Sequence, residues 1–358
     1  MKKQYFQLTL FSYIAALLYL AITTPIAPHE AKLLYEAEGI ASYLMRLGEN
    51  LPIGFLGIRL FSLMFGVFSI ILFYQLSVIY LNKKDEVYFA TLIFILLPAI
   101  VTATILANVA VLALFCVLLF VLLYEKGYTH FLPLVMLALF FVHDATVVFY
   151  VAVLLYAIAY RESRLAFWAS GFVLASIYFS KGIEIGGGPV GHFAEAFGLY
   201  ATIFSPLLFL YFFYTMYRIL LKEEKSLIWY ISFIAFAFSL LLSIRQRVYI
   251  TDFAPYVMIA VIPMVDFFNR TIGVRLPEHR KWYRYGLRVV LSFLMLSFFL
   301  ILSHKALFLF WENPKKHFAY RIYQPYFLAK ELKENGIECY DGVEQYQLRY
   351  YGLTPCAK

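Results

Sequence analysis

The chain has 358 residues, of which 63% are hydrophobic, 20% aromatic and only 15% charged, and its mean hydropathy is +0.76. A soluble domain averages roughly 25% charged and 45–50% apolar residues, so a single water-facing globule is excluded and much of the surface must meet lipid. The net charge of +8 does not point to nucleic acid, because the basic residues fall in short loops between apolar runs, where Lys and Arg set membrane orientation.

The first apolar run, 6–23, is longer than the core of a signal peptide and lacks a small-residue cleavage site, so it reads as a retained span. Further spans are predicted near 55–81, 87–105, 108–124, 131–143, 145–160, 165–181, 199–220, 227–244, 254–268 and 287–307. Each approaches the roughly 20 apolar residues that a crossing requires, giving about eleven. Lys2, Lys3, Lys83, Lys84, Lys126, Arg161, Arg164, Lys222, Lys225 and six basic residues in "NRTIGVRLPEHRKWYRYGLR" (269–288) fall on one side. The expected topology therefore has that side cytoplasmic, the N-terminus inside and the C-terminus outside. Residues 1–307 form the membrane domain, and 308–358 form a small outer α/β tail. In that tail "YFLAKELKENGIECYDGV" reads as a helix stopped by Gly336 and then a short strand. About 50 residues are too few for an independent core, so the tail is expected to dock on the outer face.

The outer loops hold the chemistry. In "TPIAPHEAKLLYEAEGI" (24–40), Pro28 suits a first helical turn and Gly39 a helix end. Glu30 shares the apolar face with Leu33, Leu34 and Ala37, whereas His29, Lys32 and Glu36 form the polar face. A carboxylate aimed at the apolar side beside a membrane is costly unless something uses it; otherwise it serves only as an N-terminal charge on an interfacial helix. Arg59 just inside a span raises the same question. The turn His143–Asp144 reads either as a site element or as a polar turn. "GGGPVG" (186–191) lacks the Lys-Ser/Thr of a nucleotide loop and reads as a flexible substrate loop leading to His192. Cys116 is expected to be a free thiol in a span. Cys339 and Cys356 share the outer tail, where an oxidising compartment permits a disulfide.

Several of these stretches together resemble the integral-membrane GT-C glycosyltransferases that use polyprenol-phosphate sugars, such as protein O-mannosyltransferases and aminoarabinose transferases. "HEAKLLYEAEGIA" is similar to their first-loop acidic signature, and "GFLGIRLFSLMFG" to their Arg-containing second span. "LLPAIVTATILANVAVLALF" resembles their proline-bearing third span and turn, and "RQRVYITDFAPYVMIAVIPM" their late outer loop. His29 stands where the family has a catalytic Asp, and Asn108 where an Asp often begins the fourth span. The resemblance implies sugar transfer on the outer face of the cytoplasmic membrane, from a polyprenyl-phosphate donor to a lipid, glycan or protein acceptor. Glu30 is then the expected general base, with His29 or Asp144 behind it. Arg59, Lys181, His192, Arg245, Arg247 and Tyr249 are the expected substrate-binding residues, because cations must stabilise the departing phosphate. A divalent ion on His29, Glu30, His143 and Asp144 is the cofactor that some relatives would suggest, although no H-x-x-x-H or C-x-x-C spacing supports it. The competing reading is a non-catalytic scaffold, or a lipid or glycolipid transporter, on a degenerate glycosyltransferase fold.

Overall fold

The computed structural model describes residues 3–179, 191–308, 317–337, 339–340 and 346–356. It is a helical bundle with a small tail packed on one end. Among the described residues, five helices are long and apolar enough to cross a membrane: α1 (Lys3–Thr23), α4 (Phe55–Tyr80), α13 (Leu227–Arg245), the run Ala254–Val274 that contains α14 (Ala254–Val257) and α15 (Val261–Val274), and α16 (Pro277–Leu302).

Two predicted spans are broken. The run 87–105 becomes α5 (Lys84–Leu96) and α6 (Pro98–Ile105), bent by 60°. Pro98 has no N–H to continue the helix and forces Leu97 out of the helical region. The run 199–220 becomes α11 (Phe193–Phe204) and α12 (Pro206–Lys222), bent by 107°. Here Ser205, the residue before the proline, adopts φ +79°, a region that non-glycine residues seldom visit. The predicted crossing is therefore a sharp elbow. α16 starts about ten residues earlier than expected, inside the basic loop, and buries only Leu294.

Four shorter helices complete the bundle: α7 (Val109–Glu125), α8 (Leu132–Val142), α9 (Val147–Ala159) and α10 (Ser163–Tyr178). With 11 residues, α8 is roughly 16 Å long at 1.5 Å per residue, about half a hydrocarbon layer. His143, Asp144 and Ala145 of the turn that follows line a cavity.

The loop after α1 folds into α2 (Pro28–Tyr35) and α3 (Ile40–Glu49). Gly39 does not end α2 as expected; it precedes α3 at φ +150°, a conformation open mainly to glycine. α3 lies directly on the start of α4, where a Cβ on Gly48 would stand 2.0 Å from the Gly57 carbonyl oxygen. Only glycine lets these two backbones meet.

In the tail, α18 (Tyr320–Glu334) ends in a Schellman motif: Ile337 N donates to Leu332 O at 2.9 Å, Gly336 N donates to Lys333 O at 3.1 Å, and Gly336 takes φ +71°. β1 (Cys339–Tyr340) and β2 (Thr354–Pro355) pair in parallel, and the Cys339–Cys356 disulfide closes beside them. α19 (Tyr346–Tyr350) lies against α2. Gln347 Nε2 donates to Ile26 O at 2.8 Å, and Phe55 stacks on Tyr350 at 5.9 Å. Cys116 is a partly buried free thiol in α7.

Candidate active site

The amphipathic reading of α2 holds residue by residue: Glu30, Leu33 and Leu34 are buried, while His29, Lys32 and Glu36 are exposed. What Glu30 meets was not visible in the sequence. Oε1 accepts from Arg59 Nε at 2.7 Å and from Ala107 N at 2.7 Å. Oε2 accepts from Arg59 Nη2 at 2.5 Å and from Ala27 N at 2.8 Å. The remaining Arg59 protons go to Ala21 O, Thr24 O and Pro25 O at 3.0, 2.6 and 2.9 Å. Both residues are 0% exposed. All five guanidinium N–H groups and all four carboxylate acceptor positions are used. The expectations of Glu30 as an open base and Arg59 as a phosphate clamp therefore lack geometric support. Glu30 has no lone pair left for an acceptor proton, and Arg59 has no N–H left for an anion. The pair binds the end of α1, the start of α2, α4 and the α6–α7 turn into one rigid corner. Asn108 completes that turn as the N-cap of α7, accepting from Ala110 N at 3.0 Å.

Two cavities open beside this corner. One, of about 880 Å³, lies between α2, the α6–α7 turn, α11 and the loop before α14, and has Lys32 and His29 at its wall. The other, of about 1180 Å³, lies between α2, α3, the His143 turn and the loop 246–253, and has Arg247 at its wall. Tyr249 and Asp252 line both. Asp252 Oδ1 lies 3.3 Å from His143 Nε2 and accepts from Thr251 Oγ1 at 3.4 Å. His143 Nδ1 accepts from Ala145 N at 2.9 Å, so the neutral ring carries its proton on Nε2, facing Asp252. A backbone N–H thus fixes the tautomer that orients the carboxylate.

The other expected residues are distributed around this centre. Asp144 lines the larger cavity, next to His143. His192 and Arg247 share Glu195 as partner, at 3.2 and 2.6 Å, and so form one edge. Arg245 is exposed at the end of α13 and lines neither cavity. Lys181 and the run 186–190 lie outside the described residues. No motif or spacing singles out Asp252 in "RQRVYITDFAP"; its one signal is a lone carboxylate next to an apolar run, and periodicity places Lys32 only on the polar face of α2. His29, Glu30, His143 and Asp144 do not converge: among the described residues no three His, Cys, Asp or Glu side chains stand close enough to hold a metal ion. That donor set does not fit a divalent cation, and no step below passes through one.

A multi-pass helical membrane protein with a cationic, carboxylate-bearing double cleft at one end is the class that fold and site define. No protein-family profile and no characterised protein sequence matches the chain. Its fold is similar to the crystal structure of ArnT from Cupriavidus metallidurans in the apo state, with a TM-score of 0.61 over 96% of this chain and 84% of that one, at 12% identity. The GT-C resemblance drawn from sequence therefore holds at the level of the fold.

Proposed function

We propose that this protein transfers a sugar from a polyprenyl-phosphate donor to an acceptor at the outer face of the cytoplasmic membrane. The observation that carries this reading is the Asp252 carboxylate on the wall common to two cavities, each with its own cation. The smaller cavity, with apolar walls from Pro98, Leu106 and Met258 and the cation Lys32, suits the phosphate and first prenyl units of a donor. The larger one, with Arg247, His143 and Tyr43, suits a polar acceptor. The acceptor oxygen or nitrogen attacks the anomeric carbon and gives its proton to Asp252, oriented by His143. The bond from sugar to phosphate oxygen breaks, its electron pair remains on the phosphate, and Lys32 stabilises the anion.

Counting each bent pair and each of α7 to α10 as one crossing gives about eleven spans, the short α8 spanning only with local thinning of the bilayer. The basic loops then lie in the cytoplasm and the cleft outside. Reporter fusions at positions 126, 222 and 278 should all be cytoplasmic. For the chemistry, Asp252→Asn in membranes supplied with a radiolabelled polyprenyl-phosphate sugar should lower transfer by roughly 10²–10⁴-fold at unchanged protein level. Full transfer by that variant would leave the scaffold or transporter reading standing.

A further inference from the structure

A third cavity, of about 440 Å³, runs along α15 between α5, α12, α15 and α16. It shares no lining residue with the double cleft; its inner wall at Val261 is one helical turn from Met258 of the smaller cleft, and its outer end at Arg275 and His279 is about 30 Å along the helix run from Ala254 at 1.5 Å per residue. Its interior is apolar, with Ile93, Leu208, Val261, Val265, Phe268 and Leu287 among its walls. α16 packs on the bundle through half-buried side chains and fully buries only Leu294, and Gly286 leaves open space where a side chain would reach.

The mouth has a different character. Arg275 and His279 stand at it with Trp282, and Lys281, Arg284 and Arg288 follow on the same helix around an adjoining surface pocket. Arg275 lies flat on the Tyr283 ring, 4.0 Å from its centroid, and its Nε is buried with no hydrogen-bond partner. Arg280 is committed elsewhere, donating to Arg275 O at 2.7 Å and Gly273 O at 2.8 Å, which holds the loop that presents Arg275. A guanidinium held by an aromatic ring with an unused donor, above an apolar slot, is the arrangement an anionic headgroup with one hydrocarbon chain would satisfy.

We propose that this cavity binds an anionic phospholipid from the leaflet on the basic side of the molecule, with an acyl chain in the slot and its phosphate at Arg275. This site does not depend on the transferase reading. A prenyl tail could fill the slot but would leave the cationic mouth without a partner.

The full-length protein, extracted from bilayers of equal phosphatidylglycerol and phosphatidylcholine, is examined by native mass spectrometry. The native chain should retain phosphatidylglycerol preferentially. Gly286→Leu, which fills the slot while improving helix propensity, should abolish that retention. Arg275→Gln should lower it about fivefold, the equivalent of the ~1 kcal/mol that one basic residue contributes near an anionic lipid surface. Equal retention of both lipids, or unchanged retention in Gly286→Leu, would overturn the proposal. So would displacement of the phosphatidylglycerol by added polyprenyl phosphate, which would assign the slot to the donor's tail.

Discussion

Arg59 and Glu30, 29 residues apart in sequence, form a buried ion pair in which neither partner keeps an unused polar atom. Removing one member of such a pair leaves an uncompensated charge and costs about 3–5 kcal/mol. Glu30→Gln should therefore lower the thermal unfolding midpoint in detergent and reduce the amount of folded protein. Glu36→Gln, on the exposed face of α2 with only a 3.7 Å contact to Lys32, should change neither. A Glu30→Gln protein with native stability but no transfer would return the base role to Glu30.

His143 orients Asp252 without being placed to take the acceptor proton. His143→Ala should lower turnover by less than Asp252→Asn does, and His143→Gln, which keeps an N–H donor, should recover part of that loss. That rescue tests the assignment, because an amide can replace an orienting N–H donor but not a base. Failure of His143→Gln to recover any of the loss, with His143→Ala as inactive as Asp252→Asn, would make His143 the base.

The cations should separate by cavity. Lys32→Gln should raise the KM for the polyprenyl-phosphate donor, and Arg247→Gln the KM for the acceptor. Each should shift by roughly tenfold, corresponding to one charge-assisted hydrogen bond of about 1.5 kcal/mol. Identical effects of both variants on the same substrate would reject the division of the two cavities.

The tail should respond to acid. His304 Nδ1 faces Ile301 O at 2.8 Å and must donate to that carbonyl, so Nε2 accepts from Tyr323 OH at 2.9 Å in the neutral ring. Burial, reinforced by Lys305 and outweighing the Ile301 hydrogen bond, lowers its pKa. With the tail undocked, His304, on the bundle side of the contact, binds the proton more readily than in the docked state. Docking is strongest above the ordinary histidine value of about 6.5 and weakens as pH falls below it. Proteolysis of the tail should be faster at pH 5.5 than at pH 7.5, and His304→Gln should flatten most of the difference. His317, also lowered by burial, would account for a residue of the same sign.

The tail also needs its cross-link, because four buried apolar side chains, Ala329, Tyr340, Leu348 and Leu353, make a small core. Cys339→Ser should speed proteolysis of 317–356 while leaving the bundle intact. Alkylation without reductant should label Cys339 and Cys356 in neither native form nor detergent. Labelling of both would show that the bond does not form in the cell.

The helical segments were legible because apolar runs of this length have few alternatives, and the face of α2 was legible because a period of 3.6 separates Glu30 from His29 and Lys32. The elbow at Ser205 was written in its Ser–Pro step, yet hydropathy ran through it without a change. The centre of the site was not legible for a different reason. Nothing near residue 30 indicates that the N–H of Ala107, 77 residues on, completes the carboxylate's shell, or that His143 meets Asp252. A buried carboxylate at the right place in the chain looks the same in sequence whether it is a catalyst or a tie, and only its partners distinguish the two.

The bond from Gln347 to Ile26 O crosses 321 residues. The loop that leads into α2 is therefore completed by residues made more than 300 positions later. At the usual 5–20 residues per second, α2 waits roughly 15–60 seconds between its own synthesis and the arrival of α19. During that interval the corner below it must hold alone, which places the saturated Arg59–Glu30 pair early in assembly and the tail at its end. A ribosome-stalled chain that stops before α19 should already shield Arg59 from proteolysis, while cleavage next to Ile26 remains possible.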